Sequence, residues 1–273
     1  MQLHTNKRKH YLILTLMFSV IIITSIALII QFISSAVESV EINSAVENPN
    51  NLWVASGPWA RIWNSLSTFT IQSNILVLVF FLLVLVNYLM KTKVKWVNSY
   101  FNLATTVYIT ITMIIFWVAL FKPLLETTNF QTTFGVLNFI NTFLLHLITP
   151  VLAIVFYFLT AGNQKWAGRT TVIKALPATI GYMFAYLAYA LIKGSFVGQI
   201  KIKEDTTFVD YSYPYFFLNI KENLGTFFLY FFIILILFLF LFAIYYFYNN
   251  WKYQKNHAQK IENKKELLKA ILF

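Results

Sequence analysis

The chain has 273 residues, of which 59% are hydrophobic and only 11% charged, and it carries a formal net charge of +11. Soluble domains carry about 25% charged residues, so the composition excludes a water-soluble globule and a disordered chain. No cysteine is present, which excludes disulfide frameworks, zinc–thiolate sites, iron–sulfur clusters and cysteine nucleophiles.

A membrane-spanning helix needs about 20 apolar residues. Six segments meet that need in chain order: 11–33, 68–90, 101–121, 136–160, 176–192 and 227–248. The first is longer than the apolar core of a secretory signal, and only Ala36 offers a weak cleavage position, so it reads as a retained span. Lys7, Arg8 and Lys9 precede it. The next basic groups on the same side are Lys91, Lys93 and Lys95, then Lys165, Arg169 and Lys174, then the 249–273 tail. That side holds fifteen bases and two acids, whereas the other holds six bases and eight acids. The positive-inside rule then places both termini in the cytoplasm. The expectation is an all-α, six-helix bundle over 1–248 in a bacterial plasma membrane, followed by a basic amphipathic cytoplasmic tail. Usage of Asn, Ile, Lys and Phe suggests the bacterial source. The basic charge is mostly topology. Membrane lipids are the expected surroundings, a nucleic-acid partner is not, and oligomeric state is not legible.

Two outer connections are long. The first, 34–67, carries Trp53, Trp59 and Trp63, which suit the membrane interface. Its Ser56-Gly57-Pro58 run fits the start of an extended second helix, with Pro58 in the first turn. The second connection, 194–225, contains Tyr211-Ser212-Tyr213-Pro214-Tyr215-Phe216-Phe217-Leu218. So much aromatic surface is expected to dip back onto the bundle as a lid. In the tail, Ile261, Leu267, Leu268, Ile271 and Leu272 suggest a helix lying on the inner surface.

Polar residues inside the spans carry the chemical information. His146 is the one histidine within a span, and an ionisable group at that depth is a functional candidate. Asn138, Asn141, Thr142 and His146 share one face of the fourth span. Pro150 follows one turn later and is expected to kink the helix there. In the second span Ser67, Thr70 and Asn74 share a face and Gln72 points elsewhere. The stripe of Asn102, Thr106 and Thr110 reads as interhelical hydrogen bonding. No span holds an acid or a lysine, so neither an acid-based metal site nor a cofactor is expected. What remains is a hydroxyl paired with an imidazole. A threonine becomes a nucleophile when a base takes its proton, and neutral histidine suits that task.

The Phe69-Thr70-Ile71-Gln72-Ser73-Asn74 run, the His146-Leu-Ile-Thr-Pro150 run and the Tyr213–Leu218 run fall in that order on six spans. This pattern resembles a bacterial six-span membrane protein family and, more remotely, the androgen-induced intramembrane threonine hydrolases of fatty acid esters. The resemblance implies Thr70 as nucleophile, with Thr68 as fallback, and His146 as base. It implies a lipid-ester substrate and a substrate-side role for Tyr213 and Pro214. Asn74 and Asn141 are the amides suited to an oxyanion. Two positions depart from the family: Asn219 and Phe156 stand where acids are usual. Two readings follow: a lipid-ester hydrolase, or a non-enzymatic protein that binds or passes a small molecule or scaffolds a partner.

Overall fold

The computed structural model describes residues 7–37, 58–91, 99–196, 200–201, 208–209 and 213–272. Trp53, Ser56, Gly57, Tyr211 and Ser212 lie outside the described residues, as do the side chains of Leu267, Leu268, Ile271 and Leu272.

The chain is a helical bundle with six helices long and apolar enough to cross a membrane. We label the helices α1 (Lys7–Val37), α2 (Pro58–Leu66), α3 (Phe69–Met90), α4 (Ser99–Thr127), α5 (Thr133–Thr160), α6 (Gly168–Ser195) and α7 (Leu224–Leu272). A short antiparallel pairing of β1 (Ile200–Lys201) with β2 (Phe208–Val209) lies in the α6–α7 connection. The protein is a multi-pass membrane protein, with α2 as the one helix among these too short to span.

Pro58 opens α2, but α2 and α3 are separate helices. The break is made by Thr68, whose backbone is extended (φ −80°, ψ 141°) and whose hydroxyl accepts the Ile71 N–H at 3.4 Å. A side-chain oxygen at this position satisfies a helix-start donor that has no intrahelical partner. The same hydroxyl donates to the Ser65 carbonyl at 2.9 Å. Thr68 is thereby committed as a cap, and Thr70 falls in the first turn of α3.

Three spans contain one π-helical turn each: Phe116–Leu120 in α4, Leu144–Ile148 in α5 and Thr171–Ala175 in α6. Each precedes a proline by two or three residues: Pro123, Pro150 and Pro177. Proline lacks an N–H and its ring crowds the carbonyl four residues back. Widening the helix by one residue relieves that clash and frees a carbonyl. The kink expected at Pro150 takes this form. The freed His146 carbonyl accepts Trp117 Nε1–H at 3.3 Å, which ties α5 to α4.

The apolar core divides among three clusters. The largest joins α3, α4, α6, α7 and the 213–218 segment through Phe69, Val107, Tyr186, Phe217 and Phe238. A second joins α1, α3 and α5 through Met17, Val20, Phe81 and Phe156. Phe156 is buried there with its ring 4.7 Å from that of Phe81. An acid at this position would be surrounded by aromatic rings rather than by the histidine.

Residues 249–272 continue α7 without a break, giving 49 residues of helix, because neither proline nor glycine interrupts residues 226–272.

Candidate active site

Thr70 and His146 are 76 positions apart in sequence and both are buried. Thr70 Oγ1 lies 3.2 Å from His146 Nε2. The other ring nitrogen, Nδ1, sits 2.9 Å from the Thr142 carbonyl, one turn back on α5. A carbonyl can only accept, so Nδ1 carries the proton and Nε2 presents its lone pair to the threonine hydroxyl. The π turn that begins at Leu144 sets the imidazole at this angle. Phe116, the first residue of the α4 π turn, stacks on the imidazole with centroids 4.0 Å apart and planes at 26°. Two proline-induced π turns therefore meet at the histidine.

Tyr215 is the member that sequence reasoning passed over. Its hydroxyl accepts the Thr70 backbone N–H at 3.2 Å and lies 3.3 Å from Thr70 Oγ1. That N–H belongs to the first turn of α3, where no intrahelical acceptor exists. Burial pushes the Tyr215 hydroxyl above its ordinary range, against the opposing pull of its hydrogen bonds to Thr70. It therefore stays a neutral phenol able to donate. The signal was present in the aromatic 211–218 run, but three tyrosines in that run are equivalent until a fold chooses one.

The remaining candidates occupy supporting positions. Asn74 is fully buried and its amide nitrogen donates to the Thr70 carbonyl at 2.9 Å and the Leu145 carbonyl at 3.3 Å. It staples α3 to the α5 π turn, and both its donors are thereby committed. Asn141 Nδ2 donates to Gln31 Oε1 at 3.3 Å, joining α5 to α1. Neither amide lines a cavity at the dyad. Tyr213 is buried against Gly194, where a Cβ would lie 2.0 Å from its ring. Tyr213 and Pro214 thus seat the strap that delivers Tyr215. Asn219 closes the turn after the strap, donating to Glu222 at 3.2 Å and accepting from the Lys221 N–H. Gln72 does point away from Thr70, accepting from the Tyr182 hydroxyl at 2.9 Å. In the α4 stripe Asn102 donates to Thr160 and Thr110 pairs with Tyr245, both on other helices, while Thr106 bonds within its own helix.

Two cavities meet at Thr70. One, of about 460 Å³, is lined by Thr70, His146, Thr142, Gln31, Arg61 and Asn64 among others. The second, of about 100 Å³, is apolar and runs between α6 and α7 past Ile180, Phe184, Phe227 and Phe231. Thr70, Leu120 and Tyr215 line both. Phe184, which lines the apolar cavity, is also exposed on the outside of the bundle. Among the described residues no group of three metal-ligating side chains occurs.

The arrangement is a hydroxyl, a general base held in one tautomer, and a phenolic donor, at the junction of a polar and an apolar cavity. The chain matches no family model, and no curated protein or solved structure is significantly similar to it.

Proposed function

We propose that this membrane protein is an intramembrane lipid-ester hydrolase with Thr70 as nucleophile and His146 as general base. The observation that carries the reading is the 3.2 Å contact of Thr70 Oγ1 with His146 Nε2, with Nδ1 already held by the Thr142 carbonyl. That distance is within reach of direct proton transfer. The motif order on the spans supports the same reading. We also propose that both termini lie on the cytoplasmic side of a plasma membrane, a reading that rests on the excess of bases on that side.

In the reaction, Nε2 takes the Oγ1 proton as Oγ1 bonds to the ester carbonyl carbon. Negative charge collects on the carbonyl oxygen, and the Tyr215 O–H is the donor best placed to receive it. The C–O bond to the alcohol then breaks as Nε2 returns its proton to the leaving alkoxide. Water enters, Nε2 takes a proton from it, and the hydroxide displaces Thr70 from the acyl-threonine. The acid product leaves and Thr70 Oγ1 recovers the proton. No carboxylate among the described residues backs the imidazole. The Thr142 carbonyl and the Phe116 ring face carry the stabilisation of the transient imidazolium instead.

The test is labelling of the detergent-solubilised protein by a fluorophosphonate, followed by turnover of long-chain ester substrates in nanodiscs. Wild-type labelling that disappears in both Thr70→Ala and His146→Ala supports the reading. Labelling unchanged by Thr70→Ala removes Thr70 as nucleophile. A second reading, a protein that binds a small molecule without turning it over, is favoured by the lack of an acid behind His146. Folded wild type that binds long-chain esters stoichiometrically, without labelling or hydrolysis, would select it.

A further inference from the structure

The end of the bundle where α1 starts gathers cations from several helices. Lys9 stands in the first turn of α1, Lys91 just after α3, Lys165 just before α6, and Lys252 and Lys255 on α7. Lys91, Lys165 and Lys255 are exposed, whereas Lys9 and Lys252 are half-buried. The Lys252 stem packs against Gly162, and its Nζ donates to the Phe158 carbonyl in the last turn of α5. The same Nζ lies 5.6 Å over the ring of Tyr248, one turn back on α7. The ammonium is therefore folded toward the apolar part of the bundle instead of out into water. Lys9 is near enough for the two charges to repel. Helix packing agrees with that placement: Ile13 and Leu16, one and two turns on from Lys9, share a core cluster with Phe156 and Leu159 of α5. The sequence supplies this end with two acids, Glu262 and Glu266, which stand about 15 and 21 Å beyond Lys252 along the α7 axis. Residues 1–6 and 92–98 contain none, and the other eight acids stand in or beside connections at the opposite end.

The last-turn carbonyls of α5 favour a cation and account for Lys252. They do not account for a second ammonium beside it, because like charges drawn out of water destabilise each other. An ammonium has three donors, and an anion between the two lysines would remove the repulsion. Val155 and Val151, about one and two turns deeper on α5 than Phe158, are exposed on the outside of the bundle. They give an anion at the lysine pair an apolar strip on its membrane side. Trp251, exposed beside Lys252 with Lys255 Nζ 5.6 Å over its ring, suits the level of the membrane interface. We propose that α1, α5 and α7 hold one anionic phospholipid, with its phosphate between Lys9 and Lys252 and its acyl chains along Val155 and Val151. Basic pockets between spanning helices take such headgroups. A soluble phosphate ester has no chains to cover the strip and is not the ligand assigned here. The site lies at the opposite end of the bundle from Thr70, and the inference is independent of the hydrolase reading.

The experiment titrates delipidated full-length protein in non-ionic detergent with phosphatidylglycerol or zwitterionic phosphatidylcholine and reads the first bound lipid by native mass spectrometry. Wild type is expected to bind phosphatidylglycerol about tenfold or more tighter than phosphatidylcholine, with a preference that shrinks as salt rises. Lys252→Gln keeps a donor for the Phe158 carbonyl while removing the charge. It and Lys9→Gln should each lower the preference about fivefold and leave phosphatidylcholine binding within about twofold of wild type. Lys252→Arg should retain most of the preference. Lys260→Gln removes an equal charge from the exposed tail and should leave the preference within about twofold. Glycerol 3-phosphate in large excess is expected not to displace the lipid. Should Lys252→Gln fail to fold, Lys9→Gln decides the outcome alone. No preference in wild type, a preference that survives Lys9→Gln or the double variant with Lys252→Gln, an equal drop in Lys260→Gln, or displacement by glycerol 3-phosphate overturns the proposal.

Discussion

The two ends of the bundle put polar side chains to opposite purposes. At the Asn249 end, asparagines clamp the connection between α5 and α6. Asn249 accepts the Gly162 N–H at 2.8 Å and donates to the Gln164 carbonyl at 3.0 Å. Asn250 accepts the Trp166 N–H at 2.9 Å and donates to its carbonyl at 3.1 Å. Lys252 reaches the Phe158 carbonyl, and Trp166 is buried between the rings of Tyr100 and Tyr246. Gly162 takes a left-handed backbone (φ 81°) directly against Lys252, where a Cβ would lie 2.8 Å from its side chain. Every amide atom in this clamp faces a backbone partner. At the Thr70 end the hydroxyls, imidazole and guanidinium line open volume, and their partners leave lone pairs and donors in reserve. A polar side chain in a membrane bundle therefore becomes chemistry when its surroundings are left unfilled, and becomes a fastener when they are filled.

Breaking this comparison begins with the dyad. Thr70→Ala and His146→Ala should each lower ester turnover on the order of 10³-fold or more, with thermal midpoints close to wild type. Turnover in nanodiscs beside a melting curve checks both halves. Next is Tyr215→Phe, which removes one hydroxyl and little packing. It should lower turnover about 10²-fold, as loss of a transition-state donor does, with KM changed less than kcat.

A smaller effect sharpens the role of the strap. Gly194→Ala forces Tyr213 aside and with it the segment that holds Tyr215. Turnover should fall about tenfold, because even a 1 Å misplacement of a reacting group costs up to about 10²-fold. Tyr213→Leu in the Gly194→Ala background, by making room, should recover part of it. The smallest catalytic effect belongs to the clamp. Asn250→Ala should cost about 1 kcal/mol of stability and leave turnover per folded molecule within about twofold of wild type. A catalytic loss from Asn250→Ala as large as that from Tyr215→Phe would dissolve the distinction between the two ends.

The span count was legible because length and hydropathy act locally. Each span is defined by its own run of apolar residues, and lipid demands that its backbone be helical. His146 and Thr70 were legible as types, because an imidazole within an apolar run is conspicuous without a fold. Tyr215 was hidden among equivalent aromatics. Arg61 is one of the six bases on the less basic side, and nothing in the sequence sets it apart. The clamp asparagines sat just beyond the last apolar run, where polar residues attract no notice. Prolines at 123, 150 and 177 signalled distortion, but that each would be absorbed as a π turn depended on neighbouring helices supplying partners such as Trp117 for the freed carbonyl.

The sequence by itself determined that this is a six-helix membrane protein with one histidine inside an apolar span, since hydrophobic length and side-chain type are properties of short stretches. The tertiary structure decided which hydroxyl meets that histidine, which of three tyrosines joins them, and where volume was left empty. Those outcomes depend on helix rotation and on packing between segments 76 to 145 residues apart, which only the folded bundle brings within hydrogen-bonding distance.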